Sequence, residues 1–317
     1  MDVLLLGGTR FLGIHLTDAL RARGHRATHF TRGTAGDRRT DLGRLGTRSW
    51  DAVVDTSGYA PRDVEISARF FAKRTGRYVF VSTISVYEPG SVSPDEDAPV
   101  LALPPDRRAV FDVEWYGAQK AACERVVAST FRERALILRP GLIAGPHDPT
   151  DRFTYWPVRF DRGGAILAPE SADFRTQFVD ARDIADFAVR ALESGRGGTY
   201  NVTSPPREIS LGDLFATCRG VARVPSEVRY APAAFLAGHG VEPWTDLPLW
   251  VPDSLGMPGL LHVDVRRALV AGLRYRPLRD TVRDVLAWAK TKAPSRAMRA
   301  GLSEDRERDL LATLRPS

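Results

Sequence analysis

Cysteine is scarce: Cys123 and Cys218 are the only two in 317 residues. Two thiols cannot build the disulfide framework of a small secreted scaffold, so the expected compartment is reducing and cytoplasmic. No window approaches 18 apolar residues free of charge, which excludes a membrane-spanning helix and predicts no membrane partner. The opening residues, MDVLLLGGTR, lack the basic segment and long apolar run of a secretory leader. Cys and His at zinc-ligand spacing are missing, so no metal is expected, and no internal repeat is found.

Charge is plentiful. Lys and Arg number 45 against 39 Asp and Glu, a net charge of +6, and 43% of residues are hydrophobic. That composition is globular. The basic residues are scattered, and the densest interior runs are the pairs Arg38-Arg39 and Arg107-Arg108. Nucleic acid is therefore not expected as the main partner; a small, anionic or polar molecule is.

At roughly 150 residues per domain the length predicts about two domains, or one large α/β unit. Apolar Val3–Leu6 reads as a buried strand. A glycine turn follows, then apolar residues at helical spacing from Phe11 to Leu20, with Gly24 as a helix stop and Arg26–Phe30 as a second strand. Asp51–Asp55, Arg77–Ser82 and Ala135–Arg139 read as further strands, Pro61–Lys73 and Tyr116–Phe131 as helices between them. Strands alternating with helices imply an α/β fold, a Rossmann-like doubly wound parallel sheet. Residues 1–145 are expected to form it, with 177–203 returning as a helix and strand. Residues 146–317 are expected to form a smaller substrate lobe and C-terminal helices, including Val282–Ala289 and a last helix capped by Ser303.

The turn GGTRFLG places Gly7, Thr9, Arg10, Phe11, Leu12 and Gly13 between strand and helix, where glycines let a pyrophosphate approach the backbone and the helix N-terminus offers N–H donors. Arg10 stands where the usual fingerprint has its middle glycine. The second strand runs into Thr31-Arg32-Gly33, with no carboxylate for a ribose 2′-hydroxyl; Arg32 can instead pair with a 2′-phosphate. This predicts NADP in preference to NAD. Tyr116 and Lys120 lie four residues apart on one helical face, where an ammonium favours the phenolate and readies the tyrosine for proton transfer.

Taken together, LLLGGTRFLG (4–13), RYVFVSTISVYE (77–88), YGAQK (116–120), LRPGLIAGP (138–146), QFVDARDIA (177–185), GTYNV (198–202) and L-x-Y-x-P (273–277) resemble the extended short-chain dehydrogenase/reductase family, the NAD-dependent epimerase/dehydratase type. The resemblance implies that Thr83 bonds the substrate oxygen, Tyr116 is the acid/base and Lys120 bonds the nicotinamide ribose. It implies cofactor contacts from Asp41, Leu42, Ser57, Gly58, Pro140 and Leu142. Ser85, His147, Tyr155, Arg159 and Gln177 are candidate substrate contacts. It also implies a homodimer through the helices at 61–73 and 116–131, whose Val64, Phe70, Phe71, Val126, Val127 and Phe131 read as an apolar surplus.

Departures bear on substrate. Leu142 replaces the asparagine usual in nucleotide-sugar members, and Thr83 is followed by Ile84-Ser85 rather than the Asp-Glu pair of dehydratases. The expected activity is an NAD(P)-dependent oxidoreductase acting at a hydroxyl or carbonyl carbon of a small polar, sugar-like molecule. The alternatives are a nucleotide-sugar epimerase that retains its cofactor, or a non-catalytic relative that binds RNA or a partner protein.

Overall fold

The continuous apolar runs become the middle strands of a parallel sheet, because a strand covered on both faces needs apolar side chains on both. The computed structural model describes residues 1–31, 38–292 and 296–314. Two units emerge. The first holds Met1–Gly141, Ala181–Val202 and Val263–Arg274; the second holds Leu142–Asp180, Thr203–His262 and Tyr275–Ser317.

In the first unit β1 (Asp2–Leu6), α1 (Leu12–Ala22), β2 (Arg26–Phe30), α2 (Arg38–Gly43), β3 (Trp50–Asp55), α3 (Pro61–Phe71), β4 (Thr75–Val81), α4 (Tyr116–Phe131), β5 (Ala135–Pro140), α5 (Ala181–Glu193), β6 (Gly198–Val202) and α6 (Arg266–Val270) follow in chain order. The strands pair in parallel as β6-β5-β4-β3-β1-β2. This is the Rossmann-like, doubly wound class expected from the sequence. The chain winds outward from β1 to β2 and returns on the other side to β3. Such a reversal opens a crevice at the carboxyl ends of the two strands, the usual ligand position of open α/β sheets. Leu6 is level with Asp55 in the register, so the turn after β1 stands beside the loop after β3.

The apolar surplus expected on α3 and α4 is not there. Val64, Phe71, Val127 and Phe131 are all at most 1% exposed within this unit's own core, and Phe70 and Val126 pack partly buried against it. Phe131 stacks on Tyr78 with ring centroids 4.6 Å apart. These side chains close the sheet face, so the homodimer expectation rests on the family resemblance and not on a surplus of apolar surface.

The second unit has a separate core around Trp156, Phe160, Leu214, Phe215 and Trp250. Its strands pair two by two: Gly164–Pro169 with Ser226–Ala231, Leu142–Ala144 with Phe178–Asp180, and Arg175–Thr176 with Ile209–Ser210. Ser210 and Asp213 form a reciprocal capping box at the start of the helix Leu211–Ala222. The helix expected from Val282 begins four residues earlier, at Leu278 directly after Pro277, and Ser303 caps the last helix through Arg306 N. Among the described residues no helix is long and apolar enough to cross a membrane.

Candidate active site

Gly7 leaves β1 with φ +86°, and a Cβ there would lie 2.8 Å from both Ser57 Cβ and Thr56 Oγ1. Only glycine fits that conformation and that approach. At Gly13 a Cβ would come within 2.5 Å of the Gly8 Cα, so the first turn of α1 rests directly on the backbone of the glycine turn. The N-terminus of α1 therefore points at the mouth of the crevice. Thr9 and Arg10 are exposed there, and Phe11 sits at φ 35° as the residue before the helix; Leu12 is buried beneath it.

Beside this turn Asp55 is fully buried and accepts four hydrogen bonds: Ser57 N at 2.9 Å, Ser57 Oγ at 3.1 Å, the Tyr78 hydroxyl at 2.9 Å and Arg38 at 3.2 Å. Arg38 also donates to Ser67 Oγ at 2.8 Å and Ser57 Oγ at 3.2 Å. The segment Ser57-Gly58 is thus held from below by a buried ion pair. Burial and the Asp55 charge push the Tyr78 phenol well above its ordinary pKa, so it stays a donor.

Sequence reasoning misses Arg38, Asp55 and Tyr78. Their only trace is a carboxylate ending the apolar strand DAVVD. On α2 the sequence points instead to Asp41 and Leu42. Asp41 is buried with its carboxylate 3.5 Å from Arg44, and Leu42 lies at 0% exposure in the first unit's core, so its side chain faces the interior. Arg32 lies outside the described residues.

Gly117 decides how α4 meets the end of β4. A Cβ there would stand 2.0 Å from the Ser85 carbonyl oxygen, so the helix start and the Thr83–Ser85 segment touch backbone to backbone. Thr83 is buried; its hydroxyl accepts from Ser85 N at 3.1 Å and donates to Ser85 Oγ at 3.2 Å, capping the short turn Ile84–Val86. Ser82, one residue earlier, is buried with a hydroxyl that has no hydrogen-bond partner among the described residues. Tyr116 is half-buried, its ring 6.3 Å from Phe111.

Lys120 is 3% exposed and donates to Gly58 O at 2.7 Å and Val81 O at 2.6 Å. Its ammonium lies 4.1 Å from the centroid of the Phe80 ring. Two of its three N–H groups are thereby engaged. Burial pushes the ammonium down to about 8, against the opposing pull of the Asp55 and Glu124 carboxylates. Cys123 itself is held neutral, its thiol raised to about 12 by burial.

One turn further along α4, Glu124 receives Arg139 in a buried two-pronged pair, at 2.9 Å from Nε and 2.7 Å from the terminal nitrogen. Arg139 also reaches the Tyr87 hydroxyl at 2.9 Å, and Tyr87 donates to Asn201 at 2.7 Å. This network ties α4 to β5 and β6 and fixes the helix that carries Tyr116 and Lys120. Pro140 ends β5 in the buried interior.

In the second unit the expected substrate contacts divide. His147 is exposed at φ 71°, its ring 5.7 Å from Trp288. Leu142 is 8% exposed in the core. Tyr155 is 2% exposed, its ring against Gly301, and Arg159 is bound to Glu307 at 2.5 Å and to Gly163 O at 2.8 Å. Gln177 is fully buried and donates to Ser204 O at 2.8 Å. Arg159 and Gln177 therefore serve this unit's interior, because a polar group removed from water is stable only with partners of its own; the buried Tyr155 hydroxyl has no hydrogen-bond partner among the described residues. Among the described residues no cluster of His, Cys, Asp or Glu suits a metal.

Residues 64–203, which include Thr83, Tyr116 and Lys120, match the NAD dependent epimerase/dehydratase family. This stretch belongs to that family. The chain is 26% identical over 249 residues to epimerase family protein SDR39U1 of Bos taurus, covering 70% of this chain and 80% of the relative. It is 25% identical over 269 residues to the chloroplast stem-loop binding protein of 41 kDa b of Arabidopsis thaliana, covering 74% and 67%. Its fold is similar to that of human SDR39U1, solved with NADPH, at a TM-score of 0.62 and 21% identity, covering 90% of this chain and 99% of that one.

Proposed function

We propose that the first unit binds a nicotinamide dinucleotide, NADP before NAD, and performs proton transfer at a substrate hydroxyl or carbonyl. The observation that carries this reading is Lys120, a buried ammonium fixed on the carbonyls of Gly58 and Val81 and sharing a helical face with Tyr116. A cation held at that depth, beside a glycine turn closed to any Cβ, has the placement of a working group. The site fits the dinucleotide. Gly7 and Gly13 let the turn pack against Ser57 and Gly8 so that the α1 N-terminus presents its donors at the crevice, and Lys120 keeps one N–H for a ribose hydroxyl. The buried Ser82 hydroxyl has no partner among the described residues.

A bound nicotinamide supplies or accepts the hydride. The protein's side of the reaction is proton management. Thr83 orients the substrate oxygen, Tyr116 delivers or removes its proton, and Lys120 stabilises the phenolate left behind. Support for NADP comes from the missing carboxylate after β2, from Arg32, and from the NADPH in the human relative. The substrate is read as small, polar and sugar-like. A net reductase releases oxidised dinucleotide at each turnover; an epimerase keeps it, and a mass spectrum of dinucleotide co-purifying with the protein separates the two.

The name of the Arabidopsis relative supports a second reading, RNA binding without catalysis. Against it stands the complete Thr83, Tyr116 and Lys120 set, which binding alone does not need. The test is Tyr116→Phe: turnover of NADPH with a carbonyl substrate should fall about 10²–10⁴-fold while dinucleotide affinity stays near wild type. Turnover retained in the variant overturns the assignment.

A further inference from the structure

The opposite end of the first unit's sheet carries a second concentration of charge. Arg23, Arg190, Arg196 and Arg274 line a cleft of about 510 Å³ with a single carboxylate, Glu193, among them. Arg23 closes α1, Glu193 ends α5, Arg196 precedes β6 and Arg274 follows α6. The glycine turn lies at the other end of α1, whose 11 residues rise about 1.5 Å each, or roughly 16 Å. This cleft is therefore distinct from the candidate dinucleotide site.

The arginines fall into two pairs. Arg23 is bonded to Glu193 at 2.9 Å, and His25 takes the other oxygen of the same carboxylate at 2.9 Å. Arg190 donates to Gly272 O at 3.0 Å. These two answer the negative ends of α1 and α5, which favour cations. The guanidinium groups of Arg196 and Arg274 are exposed and make no hydrogen bond or ion pair with any other described residue. Arg77 runs alongside Gly195, 3.1 Å from where a Cβ would stand, and donates to Glu133 O at 3.3 Å.

A loop needs no such excess of cations to fold, since like charges so close repel. Guanidinium forks match phosphate oxygens in pairs. We propose that this cleft binds phosphate groups, with Arg196 and Arg274 as the grasping pair. The phosphates come either from a free polyphosphate or nucleotide, or from the backbone of a nucleic-acid strand.

The test uses full-length protein saturated with NADPH, so that anions cannot report on the dinucleotide site. Tripolyphosphate is titrated by calorimetry and a fluorescent ten-nucleotide RNA by anisotropy, each at 50 and 200 mM salt, on wild type and on Arg196→Ser/Arg274→Ser. Arginine-dependent binding is expected, roughly tenfold weaker in the double variant. For RNA the slope of log affinity on log salt should also become shallower by about 1.4, at about 0.7 for each phosphate no longer neutralised. Binding of both anions identifies a free polyphosphate site, and binding of RNA alone a strand site. Binding of neither anion, or equal binding by wild type and double variant, overturns the proposal. NADPH affinity measured separately on the double variant should be unchanged, so failure here is distinguishable from failure of the dinucleotide reading.

Discussion

The two ends of the first unit's sheet are built in opposite ways. At the carboxyl end the charges are buried and satisfied: Asp55 on Arg38, Glu124 on Arg139, Lys120 on two carbonyls. Close backbone approach at Gly7, Gly13 and Gly117 sets its geometry. At the amino end the guanidinium groups of Arg196 and Arg274 are exposed and carry no partner among the described residues. One end is shaped before any ligand arrives. The other is an open field of charge, whose strength depends on salt.

The largest effect expected from breaking the first pattern is at the buried pair. Glu124→Gln leaves the Arg139 guanidinium buried against a neutral partner, and loss of such a partner costs about 3–5 kcal/mol. Denaturant midpoints should fall accordingly. Gly117→Val drives a side chain into the Ser85 carbonyl and should cost about 1–3 kcal/mol while separating Tyr116 from Thr83. Turnover should therefore drop further than stability does. Arg32→Ala sharpens the cofactor reading: NADP affinity should fall roughly 10- to 100-fold, and NAD affinity little.

Legibility in the sequence follows the same contrast. The glycine turn, the Tyr116–Lys120 spacing and the strand–helix alternation are local in sequence, and they lead directly to the sheet and its switch point. Arg38, Asp55 and Tyr78 meet only through β3, β4 and α2, and no spacing announces them. Tyr155 and Arg159 sit on an amphipathic helix whose buried face cannot be told from a ligand-facing one without the strands it packs on. The arginine cleft escapes a reading of charge along the chain because its members are scattered, yet the ends of α1, α5 and α6 gather them. The stripes on α3 and α4 read as surplus because the width of the sheet they cover is a property of the fold, not of either helix.

A smaller effect concerns stability against pH. Lys120 has its folded pKa lowered to about 8 from 10.5. Between those values the unfolded chain holds more protons than the folded one, so this group's contribution makes stability rise with pH from about 8 to 10.5. Below about 8 the full cost of burying the charge remains. Relative to Lys120→Met, wild-type protein should therefore gain stability between pH 7 and pH 10, measured by paired urea denaturations.

The same lysine gives the most direct test of the dinucleotide site. NADPH affinity is measured by fluorescence titration for wild type and Lys120→Met at pH 7 and at pH 10. With the ammonium bonding the ribose, the variant should bind roughly 10- to 100-fold more weakly at pH 7, and the gap should narrow at pH 10, where the wild-type lysine has lost nearly all of its charge. Equal affinities at pH 7 would contradict the placement of the dinucleotide beside Lys120 and Tyr116.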